Sequence, residues 1–100
     1  MEINTLIREN DVFSQFIGRL DTVAAQQVTA DMETLLANAD KTIEIDCSQL
    51  AFISSSGLRL LLSLRKQCMV KGGKVVLSGM TPEVKQVFAI TGFSSLFEFK

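Results

Sequence analysis

Apolar positions fall along this chain in two rhythms, one alternating and one helical, and the switches between them mark out its elements. Ile3 to Ile7 and Val12 to Ile17 are short apolar-biased runs parted by the polar Arg8-Glu9-Asn10-Asp11, which predicts two strands in an antiparallel hairpin. Gly18-Arg19-Leu20-Asp21-Thr22 breaks the rhythm, and Asp21 or Thr22 supplies the cap of the next element. Ala24, Val28, Met32, Leu35, Leu36 and Ala39 then recur at helical steps between polar residues. That stripe predicts one amphipathic helix ending near Asn38, a residue tolerant of the left-handed conformation.

Thr42 to Cys47 alternates, with Ile43, Ile45 and Cys47 on one face and Glu44 and Asp46 on the other, so the sheet is expected to leave one face partly uncovered. Ser48-Gln49-Leu50 follows, then Ala51-Phe52-Ile53-Ser54-Ser55-Ser56-Gly57, and then Leu58 to Met69, dense in helix formers. Leu61, Leu64 and Cys68 make its inner stripe, widened by Leu58, Leu62, the Arg65 stem and Met69. Gly72-Gly73 ends it by supplying positive φ. Lys74 to Ser78 reads as a buried strand. Thr81-Pro82-Glu83 starts a helix with a hydroxyl cap, a first-turn proline and an acid, with Val84, Val87, Phe88 and Ile90 facing inward. Thr91-Gly92 stops it, and Leu96, Phe97 and Phe99 form a last strand or strand-like edge. Strands alternating with helices imply right-handed crossovers, hence an α/β fold with a mixed sheet of four to five strands packed against helices. The absence of repeats or linkers predicts a single domain over residues 1–100.

Composition changes this picture by exclusion. Ten basic against eleven acidic residues, net −1, give no field to draw in nucleic acid or anionic lipid. No apolar stretch approaches the roughly 20 residues needed to cross a bilayer, and Met1-Glu2-Ile3-Asn4-Thr5 lacks the features of a secretory signal, so a cytoplasmic protein is expected, without membrane insertion. There is no histidine, which removes the commonest general base and every Ser-His or Cys-His nucleophile. Cys47 and Cys68 stand far apart and read as small core residues, so neither metal nor cofactor is expected.

Short motifs fare no better. Ser63-Leu64-Arg65-Lys66 fits S-x-x-K, but the companion motifs of penicillin-recognising enzymes are missing. Gly72-Gly73-Lys74 lacks the upstream glycine and following hydroxyl of a phosphate-binding loop. Glu44 with Asp46 reads as a solvated strand face. The basic residues Arg59, Arg65, Lys66, Lys71 and Lys74 come without aromatics to stack bases, so a solvated helix face explains them. An enzyme is therefore not expected.

What remains is the serine-lined helix start. Hydroxyls there act first as caps, accepting a hydrogen bond from unpaired backbone N–H groups. The run Ile45 to Leu58, followed by Gly72-Gly73-Lys74-Val75-Val76-Leu77 and by Thr81-Pro82-Glu83-Val84 to Thr91-Gly92-Phe93, resembles the STAS domain of bacterial anti-sigma factor antagonists. Gly18-Arg19-Leu20-Asp21 matches that family's early segment, so the resemblance spans essentially the whole chain. It implies a STAS-like fold and a binding protein whose partner is an anti-sigma factor that is also a serine kinase. It further implies that phosphorylation at this helix start switches binding off. Matched residue by residue, the acceptor falls on Ser56, with Ser55 and Ser54 as alternative hydroxyls. The partner surface falls on Asp21, Thr22, Ser54, Ser55, Ser56, Gly57 and Arg59, with the segment Gly18 to Thr22 alongside. The family usually carries aspartate where this chain has Ser54. That departure keeps a second reading open, a non-phosphorylated STAS adaptor subunit of a membrane transport or signalling complex.

Overall fold

The structure, a computed structural model, describes all 100 residues. The elements run β1 (Glu2–Ile7), β2 (Asp11–Leu20), α1 (Thr22–Gln27), α2 (Thr29–Ala37), β3 (Thr42–Ile53), α3 (Ser55–Lys71), β4 (Lys74–Ser78), α4 (Pro82–Ile90), a 3₁₀ turn (Phe93–Leu96) and β5 (Glu98–Phe99). They build the expected mixed sheet, with five strands in the order β1-β2-β3-β4-β5. Only the β1–β2 pair is antiparallel. Each parallel crossover steps to the next strand in the same direction, and right-handed crossovers then put every helix on one face. The other face is left open, which is why Ile43, Ile45 and Cys47 are buried while Glu44 and Asp46 are only half-buried.

Between sheet and helices lies one core. Phe16 and Leu20 of β2, Ile43, Ile45, Leu50 and Ile53 of β3, Leu58, Leu61 and Leu64 of α3, and Phe88 of α4 are almost wholly enclosed. Phe88 meets Phe97 and Phe99 edge to face, with ring centroids 5.6 and 5.8 Å apart, which seats the C-terminal end of the chain on α4. Ser14 is the one buried polar side chain, and its hydroxyl shares a 2.9 Å hydrogen bond with that of Thr5 across the β1–β2 pair. That bond removes the cost of an unpaired buried hydroxyl.

Several boundaries depart from the sequence reading. β2 continues through Gly18 to Leu20, with Gly18 at φ +105° inside the strand rather than in a loop after it. The single helix predicted between the Asp21 or Thr22 cap and Asn38 is two, α1 and α2, parted at Val28 (φ −96°, ψ 19°), where the Thr29 hydroxyl donates to the Gln26 carbonyl oxygen (3.0 Å). Ala24, Val28, Met32 and Leu35 stay buried on both sides of the break, so their spacing does not reveal it. Asn38 does end α2, but at φ −111° rather than left-handed, with its Nδ2 donating to the Thr34 carbonyl oxygen (2.8 Å). β3 runs twelve residues, not six, absorbing Ser48 to Ile53. Ile90 and Met69, expected inward, are 76% and 66% exposed. Ile90 lies six residues past Val84 and Met69 one past Cys68, and at about 100° per residue both turn away from the buried face. The last strand is reduced to Glu98–Phe99 behind the 3₁₀ turn.

Candidate functional site

β2 and β3 are parallel neighbours, so their C-terminal ends lie side by side, with Leu20 in register with Ile53. The next residue of each strand caps a helix. Asp21 caps α1 by accepting a hydrogen bond from Ala24 N–H (2.8 Å), and Ser54 caps α3 by accepting from Gly57 N–H (3.2 Å). Asp21, not Thr22, is thus the cap. Ser54 N–H donates to the Leu20 carbonyl oxygen (2.9 Å), which ties the two caps together. Of the residues singled out from sequence, Asp21, Ser54, Ser55, Ser56 and Gly57 gather here, with Thr22 exposed on α1 and Arg59 exposed one turn into α3.

Within the serine run the three hydroxyls are not equivalent. Ser54 is half-buried and occupied by capping, Ser55 is exposed, and Ser56 is half-buried in the first turn of α3. The backbone N–H groups of Ser55 and Ser56 belong to the helix's unpaired first set, because the ladder begins with Leu58 N–H donating to the Ser54 carbonyl oxygen (2.9 Å). No acid occupies this first turn, so the positive end of a 17-residue helix is uncompensated. An anion on Ser56 meets free donors, the dipole and Arg59 three residues on.

Gly57 sets how closely α3 lies on the sheet. A Cβ there would stand 2.8 Å from Leu20 Cγ and 2.9 Å from Ile53 Cγ1, inside normal contact, so glycine lets the helix start sit directly on both strand ends. Sequence reasoning named Arg19 only as part of the Gly18 to Thr22 segment and gave Phe52 no role. They face each other on the open side of the sheet just before the two caps, the Arg19 guanidinium carbon lying 4.4 Å from the Phe52 ring centroid. A cation held over a ring in this way is partly pre-oriented at the rim of the site. Cross-strand register alone could have paired them, and the two irregularities in β2–β3 pairing hide that register.

The cap role of Ser54 gives a first prediction. Ser54→Ala removes the acceptor for Gly57 N–H and is expected to cost about 1 kcal/mol, a fall in Tm of about 4–8 °C for a chain of this size. Ser54→Asp restores an acceptor and adds charge favourable to the dipole, so it should melt at or above the parent temperature. Thermal unfolding followed by circular dichroism checks both.

Other chemistry lies elsewhere. The largest groove, of about 410 Å³, sits on the open face between β3, β4 and β5. Its lysines are already paired, Lys74 with Glu98 at 3.4 Å and Lys100 with Glu44 at 3.1 Å, so no uncommitted group converges there. Cys47 and Cys68 are free and buried. Burial, reinforced by Asp46, pushes the Cys47 thiol up to about 12, which keeps it protonated and unreactive at neutral pH.

The fold and this surface define a class: an α/β protein with its helices on one face of a mixed sheet and two tied helix caps at the C-terminal ends of adjacent parallel strands. The chain belongs to the STAS domain family, whose model matches residues 2–100. It is 34% identical over 80 residues to BtrV of Bordetella bronchiseptica, named as a proposed anti-sigma factor antagonist, a match covering 80% of this chain and 69% of that protein. It is 26% identical over 103 residues to the anti-sigma-B factor antagonist of Listeria monocytogenes, covering 100% of this chain and 90% of that one. Among solved structures it superposes on SpoIIAA, an anti-sigma factor antagonist, in its unphosphorylated form, with a TM-score of 0.73, 22% identity, and 99% of this chain and 87% of that one covered. The phosphorylated form of SpoIIAA, from Bacillus, gives a TM-score of 0.72 at 23% identity, with 99% and 91% covered. No helix is long and apolar enough to cross a membrane.

Proposed function

We propose that this protein is an anti-sigma factor antagonist, a single STAS domain acting in the cytoplasm as a binding module rather than an enzyme. Its partner is an anti-sigma factor of the serine-kinase type, and phosphorylation of Ser56 switches binding off. The names of its relatives support the antagonist role. The observation that carries the switch is the position of Ser56: a half-exposed hydroxyl in the first turn of α3, beside unpaired N–H groups and with no acid in that turn. A phosphate there is compatible with the fold, since the helix start favours negative charge. Asp21, Thr22, Ser54, Ser55, Gly57 and Arg59 complete the contact surface. Val23, 62% exposed on α1, gives it an apolar point of the kind that anchors a protein interface.

Incubation with the cognate anti-sigma factor and ATP, followed by phosphate mapping by mass spectrometry, tests this reading. One phosphate on Ser56, absent from Ser56→Ala, is expected. Modification confined to Ser54 or Ser55 would move the acceptor. A chain that binds without being modified would favour the adaptor reading, which the serine at position 54 motivates.

A further inference from the structure

The exposed edge of β1 carries a pattern that the site does not use. β1 ends the sheet, so its outer side pairs with nothing, yet two of its six residues, Leu6 and Ile7, are apolar and 53% and 46% exposed. The hairpin fixes which backbone groups face outward. Arg8 N–H donates to the Asp11 carbonyl oxygen (2.8 Å), so Arg8–Asp11 is a hydrogen-bonded pair. On the far side of β2 the Asn10 carbonyl oxygen accepts from Thr42 N–H (3.4 Å), which agrees with that phase. Antiparallel pairs alternate, so Leu6, Asn4 and Glu2 also turn their backbone groups towards β2. Ile3, Thr5 and Ile7 turn theirs outward.

We infer that the β1 edge is a self-association surface, pairing antiparallel with β1 of a second copy about a two-fold axis through Thr5. Outward groups must face outward groups, so only registers joining odd-numbered residues are allowed. The register that sets Thr5 opposite Thr5 uses all three outward residues, with Ile3 opposite Ile7, and forms six backbone hydrogen bonds. It also places Glu2 of one copy opposite Arg8 of the other, twice by symmetry. Shifting by two residues in one direction sets Glu2 opposite Leu6, and in the other sets Arg8 opposite Asn4, so either shift loses both charge pairs. Leu6 and Ile7 become neighbours of the partner strand and lose exposure. The opposite edge of the sheet, β5, has only two residues, so pairing closes at two copies rather than growing into a fibre.

Sedimentation equilibrium on the full chain tests this, with the mass expected to rise from one copy to two as concentration increases. Ile7→Pro removes an outward N–H that the monomer does not use, at an exposed side chain that makes no hydrogen bond, and proline is tolerated at such edge positions. It should abolish the dimer while circular dichroism stays unchanged. Glu2→Arg and Arg8→Glu each set like charges opposite one another. Each should weaken the dimer about tenfold at low salt, and the double variant should restore it. A monomer throughout the concentration range, or a dimer indifferent to Ile7→Pro in a folded chain, overturns the proposal. Single charge variants that weaken the dimer without rescue by the double overturn the register. None of these readings depends on Ser56, so the antagonist reading stands or falls separately.

Discussion

Gly73→Ala is expected to be the most damaging conservative substitution in the chain, costing about 3–5 kcal/mol and lowering Tm by about 15–25 °C. Gly73 is not left-handed, so the cost is one of space. A Cβ built there would overlap the carbonyl oxygens of Ala39 and Lys41 and stand 2.9 Å from the Ala39 carbonyl carbon. These are backbone atoms, which no rotamer change can move. The Lys41 oxygen also accepts from Lys74 N–H (3.2 Å), beside the Thr42–Lys74 pair at the start of the β3–β4 ladder. Relief therefore means opening that ladder or displacing the α2–β3 connection. Gly72→Ala is the control, because Gly72 has the opposite problem: φ is +87° and nothing lies within 4 Å of its Cβ position. It should cost only the left-handed penalty, about 1–2 kcal/mol. Urea unfolding of the two variants separates them, and equal losses would refute the steric account.

The same pair shows where sequence reasoning stops. Glycine as a source of positive φ is a local property, and it correctly ends α3 at Gly72. Close approach is a property of the folded chain, so the role of Gly73 could not be read from its neighbours in sequence. β3 teaches a similar lesson. Its alternation is legible through Cys47, but two irregularities in the pairing with β2 then change the burial spacing, and Leu50 and Ile53 follow at steps of three. A strand with a step of three does not look like a strand, so Ser48 to Ile53 reads as a connection. One consequence is functional: the longer β3 carries Phe52 under Arg19 and delivers Ser54 beside Leu20. The capping of α3 and α4, by contrast, was legible because Ser54 and Thr81 satisfy N–H groups three residues away, at 3.2 and 3.3 Å. The helix start at Ser54 to Gly57 was visible as a cluster, whereas its link to Asp21 needed the parallel register.

A negative charge on Ser56 is expected to weaken binding to the cognate anti-sigma factor about a hundredfold, or 2–3 kcal/mol, and to leave the fold intact. The two halves of this prediction have separate causes. In the free protein a carboxylate at position 56 lies in the first turn of α3, where unpaired N–H groups and the helix dipole favour it by about 0.3–1 kcal/mol, so Ser56→Asp should melt no lower than the parent. In the complex the same charge must be desolvated against a surface that fits the neutral serine, and it gains nothing there to replace its water and helix partners. Ser63→Asp puts an identical charge on the exposed side of the same helix, about two turns further on, and should change affinity less than threefold. Calorimetric titration of the parent and both variants, with melting curves alongside, distinguishes a local switch from a general charge effect. Equal losses at positions 56 and 63 would point to long-range repulsion, and a loss at 56 that tracks a lower Tm would point to unfolding. The switch requires an affinity that falls at Ser56 alone while the helix beneath it holds.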